Sequence, residues 1–197
     1  MIAPHIRPAL IGFCQRPNRY MGAKLRCRGG KFSIISAYAP HAGRPFDERH
    51  AFFNNLGDFF QSMSTYGPTV IFGDLNSRMY HIFAGEEQHL GQYVLKNPVQ
   101  QLNAHMNRYL LVQMCASYDL RVANTYFEHD LERTVTYYDI GTQQHNPASV
   151  QGFAQLDVAL IANSWAHKIM DVYSERGAPL ASRHFLTSPT CLSIFQN

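Results

Sequence analysis

The residues of this sequence that could carry chemistry are a few carboxylates, an amide and a histidine, each placed at or near the end of an apolar run. Asp74 and Asn76 flank Leu75 directly after the apolar residues 69–72. A carboxylate beside an amide can accept a proton from water and can hold that water or an anion by hydrogen bonds. Because Gly-Asp-Leu-Asn is also an ordinary turn sequence, these residue types alone leave both readings open.

Asp157 and His184 form a second candidate group. Asp157 interrupts the apolar run of residues 155–161, and His184 follows Ser182 and Arg183 ahead of a β-rich run. A carboxylate in such a strand needs a partner, which could be purely structural, and a lone histidine is often a solvated loop residue. If the two pair, the carboxylate fixes the imidazole tautomer and leaves the other nitrogen for substrate. We therefore expect a hydrogen bond of about 2.6–3.2 Å between them.

Strands and one clear helix must position these side chains. Residues 46–65 carry apolar side chains at helical spacing, with Asp47 and Glu48 in the first turn, where the helix dipole favours acids. Residues 31–39 and 69–72 are typical of buried strands, and open sheets place ligands at the carboxyl ends of such strands. Asp74 and Asn76 are therefore expected at a ligand-binding edge.

The rest of the chain contains more strands than helices. Several strands follow one another directly, which predicts an α+β or layered α/β fold rather than a strict βαβ series. The expected elements are strands at residues 9–14 and 22–28, a surface excursion at 77–103, a helix at 105–118, β-rich runs at 121–127 and 134–139, a loop at 140–152, and strands at 155–161, 168–174 and 190–195.

Composition excludes several classes of protein. The chain has 197 residues, 46% of them hydrophobic and 16% charged, so one domain with a sizeable core is expected rather than disorder. Four scattered cysteines without a C-x-x-C motif exclude a zinc ribbon and favour reduced thiols. No signal peptide and no run of about 18 apolar residues is found, so an intracellular protein, nuclear or cytoplasmic, is expected. The net charge of +3 permits a nucleic-acid partner without arguing for one.

The order of the motifs resembles the endonuclease/exonuclease/phosphatase superfamily, and it is most similar to the endonuclease domains of non-LTR retrotransposons. The resemblance runs from about residue 9 to the end of the chain. The motifs are Ser36-Ala37-Tyr38-Ala39-Pro40, Phe72-Gly73-Asp74-Leu75-Asn76, Leu156-Asp157 and Ser182-Arg183-His184, with Thr134-Val135-Thr136-Tyr137 similar to a Thr-Trp strand of that family.

This resemblance implies a fold and a set of roles. The fold would be a layered α/β/β/α sandwich, and the reaction would be Mg²⁺-assisted hydrolysis of a phosphate ester, with DNA as the partner. Asp74 would be the general base, Asn76 would hold the phosphate or the water, and Tyr38 would reach a phosphate oxygen. Asp157 would orient His184, and His184 would donate to a non-bridging phosphate oxygen.

Two departures from the family pattern bear on activity. Nothing before Tyr38 matches the family's opening strand-helix-strand with its Asn and its metal-binding Glu, so we expect residues 1–197 to form a single domain that is incomplete at its N-terminus and lacks the first strands and helix. Arg183 stands where the family has an Asp that helps hold the metal. A guanidinium cannot bind Mg²⁺, although it can contact phosphate as a fixed cation. The metal ligands are therefore unknown, and weak Mg²⁺ binding is expected.

Three functions remain open at this point. The leading one is a phosphodiester hydrolase, a DNA endonuclease domain of retroelement origin. The second is a catalytically inactive remnant that binds nucleic acid or phosphate, and the third is an inositol or lipid phosphatase of the same superfamily. The expected loss of opening strands also predicts an unpaired sheet edge near residues 9–14 or 31–39.

Overall fold

The computed structural model describes residues 4, 6–16, 19–27, 30–63, 67–95, 107–139, 152–177 and 182–191. The strands are β1 (Leu10–Arg16), β2 (Tyr20–Cys27), β3 (Gly30–Tyr38), β4 (Thr69–Asp74), β5 (Leu120–Val122), β6 (Tyr137–Tyr138), β7 (Phe153–Ala154), β8 (Asp157–Ala162), β9 (Ile169–Glu175) and β10 (Leu186–Cys191). The helices are α1 (Phe46–Met63), α2 (Asn107–Ser117) and the short α3 (Leu131–Thr134), with further 3₁₀ turns at Arg7–Ala9, Ala123–Tyr126 and Asn163–Lys168.

A six-stranded mixed sheet in the order β1-β2-β3-β4-β8-β5 is the centre of the fold. Strands β3 and β4 are parallel, with α1 as the crossover, so their carboxyl ends meet at one edge and Tyr38 lies opposite Asp74. Strand β8 runs antiparallel to β4 and begins at that same edge, where Asp157 pairs with Asp74. The strand register alone therefore places three of the predicted site residues, Tyr38, Asp74 and Asp157, side by side across β3, β4 and β8.

Both faces of this sheet are buried, which explains the nearly continuous apolar strands. Ile71 and Leu160 belong to a core shared with α1 and α2, whereas the alternating Val70 and Ile161 belong to a second core shared with β9. The small sheet of β9 and β10 thus forms a second β layer, and α3 packs outside β9. The layered α+β fold predicted from the sequence is confirmed.

Helix α1 begins where the sequence predicts, and its apolar stripe packs against the sheet. Phe52, Phe53, Leu56, Phe59, Phe60 and Met63 are all buried on one side of it. Gly73 allows β4 to approach β3, because a Cβ at that position would lie 1.8 Å from the carbonyl oxygen of Ala37. The strand end that carries Asp74 therefore depends on a glycine immediately before it.

The segment expected to be a surface excursion at residues 77–103 is irregular and exposed over much of 81–88, as predicted, but residues at both ends of its described portion are part of the core, where that prediction is wrong. Met79 and Leu90 are each 1% exposed, and Leu90 forms a parallel bridge to Val122 beside the edge strand β5. The segment covers the edge of the sheet and packs under α2 without regular secondary structure. Residues 96–106 lie outside the described residues.

The β-rich runs at 121–127 and 134–139 contain less strand than predicted. After β5 the chain turns into a 3₁₀ helix, and the side chain of Asn124 replaces the backbone ladder beside β8. Its Oδ1 accepts a hydrogen bond from the Ala159 amide at 2.7 Å, and its Nδ2 donates to the Asp157 carbonyl at 3.3 Å. Thr134 ends α3, so that only β6 remains of the second run. The expected loop at 140–152 lies almost wholly outside the described residues.

The open edge of the main sheet lies at β1 and not at β3. β1 pairs with β2 alone among the described strands, and Phe13 on it is 55% exposed, as expected for residues 9–14. β3 lies between β2 and β4, so an edge at 31–39 is wrong. Cys14, Cys27 and Cys115 are free thiols. Within the described ranges, no helix has the length and apolar character needed to cross a membrane.

Candidate active site

A cleft of about 640 Å³ opens at the sheet edge where β3 and β4 end. Its walls include Tyr38, Asp74, Asn76, Arg183 and His184, five of the six residues singled out from the sequence. The sixth, Asp157, lies behind His184 and contacts the cleft through it. The other lining residues are His41, Ala42, Gly43, Arg78, Asn107, Arg108, Tyr137 and Leu156.

Asp74 and Asn76 form a tight local unit at the end of β4. Asn76 has a φ of +48°, a left-handed conformation that asparagine tolerates, and its backbone N–H donates to Asp74 Oδ1 at 2.9 Å. Its side-chain Nδ2 donates to the Ala39 carbonyl at 2.9 Å, which ties β4 to the chain leaving β3. The turn considered from the sequence is therefore present, and because Asp74 and Asn76 also line the cleft, their role as site residues stays a prediction.

Burial raises the pKa of the Asp74 carboxyl to about 6. The negative charge of Asp157 raises it further, whereas the N–H of Asn76 and the charge of His184 lower it. A carboxyl that titrates near neutral pH can exchange a proton with bound water, as a general base must.

His184 is held by Asp157 at the distance expected from the sequence, with Nδ1 2.8 Å from Asp157 Oδ2. This hydrogen bond raises the pKa of His184, and the charges of Asp157 and Asp74 add to the effect, against burial and the charge of Arg183. The backbone N–H of Asp157 donates in turn to Thr136 Oγ1 at 3.0 Å. The charged form of His184 is thus favoured more than in an ordinary histidine. Its Nε2 lies 3.9 Å from Asp74 Oδ2, which is too far for a hydrogen bond.

Arg183 and Tyr137 form the wall beside His184. The guanidinium NH1 donates to the Tyr137 hydroxyl at 2.8 Å, and the guanidinium carbon lies 5.3 Å from the centroid of that ring. The His184 ring lies 4.9 Å from the same centroid. Tyr137 and His184 are antiparallel bridge partners, so the backbone fixes all three side chains together.

Several residues of the cleft were not predicted from the sequence. Asn107, at the start of α2, is buried, donates through Nδ2 to the Pro40 carbonyl at 2.7 Å and accepts from Arg49 at 3.3 Å. Arg78 lies 3.7 Å from Asp139. Neither lies in a motif or a periodic pattern, so no sequence signal marks them. Thr136 and Tyr137 do lie in the Thr-Tyr motif quoted above, although their contacts could not be foreseen.

The residues present do not fit a Mg²⁺ site. Mg²⁺ requires a near-octahedral set of oxygen ligands, usually including one or more carboxylates. In the described part of the chain, no group of three or more His, Cys, Asp or Glu side chains could hold a metal ion. Asp157 is engaged by His184, Asp74 is favoured in its neutral form below about pH 6, and the neighbouring Arg183 is a cation. We therefore derive no chemical step through a metal.

Solved structures share the architecture described above, although no protein-family model and no curated protein matches the chain. A 3'-5' exonuclease from Neisseria meningitidis aligns with a TM-score of 0.59 at 17% identity, covering 88% of this chain and 65% of its own. An AP endonuclease from Archaeoglobus fulgidus gives 0.60 at 16% identity, with 88% and 65% covered. The endonuclease domain of TRAS1, a telomere-specific non-LTR retrotransposon, gives 0.55 at 13% identity, with 93% and 68% covered.

The chain thus spans about two thirds of the length of the solved structures that it matches. They include an exonuclease and endonucleases, and their likeness covers 88–93% of this chain. At this level of identity the likeness establishes architecture. The chain has the fold of the endonuclease/exonuclease/phosphatase superfamily.

Proposed function

We propose that this chain is a phosphodiester hydrolase domain that acts on DNA, of the kind found in retroelement endonucleases, and that residues 1–197 belong to one such domain. One observation carries the proposal. A carboxylate-bound imidazole, His184, faces a second and proton-exchanging carboxylate, Asp74, across 3.9 Å in an open cleft. The fold supports it, because its solved neighbours include a retrotransposon endonuclease domain and an AP endonuclease.

His184 Nε2 and Asp74 Oδ2 lie 3.9 Å apart on the wall of the cleft, so a phosphate that lies in the cleft contacts His184 while its attacking water contacts Asp74. His184 in its charged form donates from Nε2 to a non-bridging phosphate oxygen and stabilises the negative charge that develops on it. Asp74, ionised above about pH 6, takes a proton from water while the water oxygen bonds to phosphorus. The bond from phosphorus to the leaving oxygen breaks, and that oxygen takes a proton from solvent.

Asn76 and Tyr38 have supporting roles in this proposal. The Asn76 amide is fixed beside Asp74 because Nδ2 donates to the Ala39 carbonyl and, at 3.5 Å, to Asp74 Oδ2. Its Oδ1 can accept from the attacking water, and Nδ2 can donate to the phosphate if it exchanges the long contact with Asp74 for one with the ligand. The Tyr38 side chain is 54% exposed at the cleft wall, where its hydroxyl can reach a phosphate oxygen. Asp157 acts only through His184 and is a positioning residue.

A second function is favoured by a specific observation. Among the residues that the structure describes, the oxygen ligands for Mg²⁺ are incomplete, which fits a phosphate-binding domain with little or no turnover. We expect Mg²⁺, if it binds, to bind weakly. An inositol or lipid phosphatase stays a third possibility, which competition between DNA and a phosphoinositide decides.

A plasmid-nicking assay with Mg²⁺ tests the proposal. Wild-type protein is compared with Asp74→Asn, His184→Ala and the control His129→Ala, which removes a histidine that is paired to Asp171 outside the cleft. Each cleft variant should lower the nicking rate roughly 100-fold or more, as loss of a general acid or base does. The control should leave it unchanged. Nicking that survives His184→Ala overturns the mechanism, and DNA binding without nicking supports the inactive alternative.

A further inference from the structure

The cleft contains three arginines, and their charges are balanced differently. Arg108 is buried and forms a two-pronged contact with Glu86, so its charge is neutralised where it stands. Arg78 lies within 3.7 Å of Asp139. Arg183 is exposed, and in the described part of the chain no carboxylate lies within ion-pair distance of it. The positive charge available to a ligand is therefore concentrated at Arg183.

Tyr137 holds this guanidinium in one orientation without neutralising it. The bond from NH1 to the Tyr137 hydroxyl uses one of five N–H donors, and the ring beneath it restrains the guanidinium plane. The remaining donors match the two oxygens of a phosphate, which arginine contacts in a bidentate manner. His184, in contact with the same ring, adds a second donor on the same wall.

We infer that Arg183, docked on Tyr137 beside His184, is the cation that holds the substrate phosphate, so that this cleft binds the phosphodiester of a nucleic-acid strand without a divalent metal. The inference rests on the proposed function for the identity of the ligand. It goes further than that function because it assigns to Arg183 the positive charge that a metal ion would otherwise supply.

The physical consequence is that ligand binding and metal binding are separated. A fixed guanidinium needs no metal to attract phosphate, and it repels a divalent cation from the same place. Each phosphate that a protein cation neutralises also releases condensed counterions from the nucleic acid, which makes the affinity depend on salt. Removing Arg183 should therefore change both the affinity and its salt dependence.

The test is fluorescence anisotropy with a labelled single-stranded oligonucleotide, in EDTA and again in excess Mg²⁺. Wild type, Arg183→Ala and Arg183→Lys are compared with the control Arg133→Ala, which removes an arginine that also lies over a tyrosine ring, Tyr173, but outside the cleft.

Wild type should bind equally in both buffers. Arg183→Ala should weaken binding roughly 10-fold, and Arg183→Lys less, since one charge-assisted contact is lost or weakened. The salt slope should fall by roughly 0.7 for Arg183→Ala. Arg133→Ala should change neither.

The possible failures are distinguishable. Binding that appears only with Mg²⁺ and is unaffected by Arg183→Ala overturns this inference and leaves the proposed function standing. Absence of binding in both buffers overturns the proposed function and the inference together. Equal weakening by Arg183→Ala and Arg133→Ala shows a diffuse charge effect and also overturns the inference.

Discussion

The described part of the molecule contains the same four residue types twice, and only one of the two groups lines the cleft that also contains Asp74 and Asn76. The cleft group consists of Asp157, His184, Arg183 and Tyr137. The outer group, between α3 and β9, consists of Asp171, His129, Arg133 and Tyr173. Both contain a short His–Asp contact, 2.8 Å in the cleft and 2.6 Å outside it, and both place an arginine over a tyrosine ring.

The two groups differ in how their charges are balanced. In the outer group Asp171 contacts both His129 and Arg133, the latter at 3.9 Å, so its carboxylate is the partner of both side chains and the charge of Arg133 is balanced within the group. In the cleft Arg183 is turned to a tyrosine hydroxyl, and a second carboxylate, Asp74, faces His184. An ion network that balances its own charge stabilises a fold, whereas one that leaves charge facing a cavity can act on a ligand. Arrangement, and not composition, therefore distinguishes the candidate site from the outer group.

The largest expected difference between the groups is in turnover. Asp157→Asn should lower the nicking rate roughly 100-fold, because His184 loses the partner that orients it and raises its pKa. Asp171→Asn, the matched change in the outer group, should leave the rate within about twofold. Steady-state kinetics on both variants measure this, and equal losses would show that the comparison is false.

The pH profile gives that prediction a second readout. Asp74 must be ionised, so the rate should rise with pH through about 6. His184 must be charged, so the rate should fall again as pH passes its raised pKa. Asp157→Asn should move the falling limb to lower pH, because the contact that raises the pKa of His184 is lost. A purely structural role for Asp157 would leave the limbs in place.

A smaller difference between the two groups is expected when their arginines are replaced and the affinity for Mg²⁺ is measured. Arg183→Asp removes a fixed cation and adds an oxygen ligand near Asp74 and His184, so Mg²⁺ should bind roughly 10-fold more tightly. Arg133→Asp should not change Mg²⁺ affinity, since no cleft surrounds it. Titration calorimetry measures both. Unchanged affinity in Arg183→Asp would mean that the charge of Arg183 does not reach the position of a metal.

Removing a carboxylate from the cleft and from the outer group should change the free energy of unfolding in opposite directions. The folded-state pKa of Asp74, about 6, lies above its ordinary 3.8, so the fold favours the protonated form, and this contribution is lost as pH rises through about 6. Asp74→Asn should therefore raise the free energy of unfolding at pH 7 by roughly 1–2 kcal/mol and have little effect below about pH 4. Asp171→Asn should lower it by roughly 0.5–1 kcal/mol, because His129 and Arg133 lose their partner.

Urea denaturation at pH 4 and pH 7 measures this stability difference. A catalytic group that is costly to the fold is typical of active sites, where stability and activity conflict. If Asp74→Asn proves less stable than wild type at pH 7, the carboxylate is a structural group, and the ordinary turn considered from the sequence is the better explanation.

The sequence predicts the cleft group in part, for a physical reason. An acid inside an apolar strand is conspicuous, so Asp157 could be found, and the resemblance to a motif order supplied His184 as its partner. Strand pairing then places Asp74 beside Asp157 without any further signal. These residues depend on local patterns and on the parallel and antiparallel pairing that such patterns imply.

The contacts that complete the site could not be predicted, because they join distant parts of the chain. Arg183 and Tyr137 are 46 residues apart, and they meet only through the bridge between Tyr137 and His184. Asn107 reaches the Pro40 carbonyl across 67 residues. Residue type and strand position alone do not separate the two His–Asp groups, since Asp171 also lies in a predicted strand, and only the motif order singles out Asp157 and His184. What distinguishes the groups is which charges face a cavity, and only the folded structure contains that information.

The smallest expected difference concerns the two tyrosines. Tyr137→Phe keeps the ring under Arg183 but removes the hydroxyl that accepts from NH1, so the guanidinium loses one hydrogen bond and part of its orientation. Such a bond contributes about 1 kcal/mol, and oligonucleotide affinity in EDTA should fall roughly threefold to tenfold, less than for Arg183→Ala. Tyr173→Phe keeps the ring under Arg133 and should have no effect on affinity.

Because His184 also contacts the Tyr137 ring, the nicking rate at saturating DNA is measured beside the affinity. A loss in affinity alone shows that the hydroxyl acts through Arg183, whereas a loss confined to the rate would show that Tyr137 serves His184 instead, and would break the assignment of Arg183 as the phosphate-holding cation.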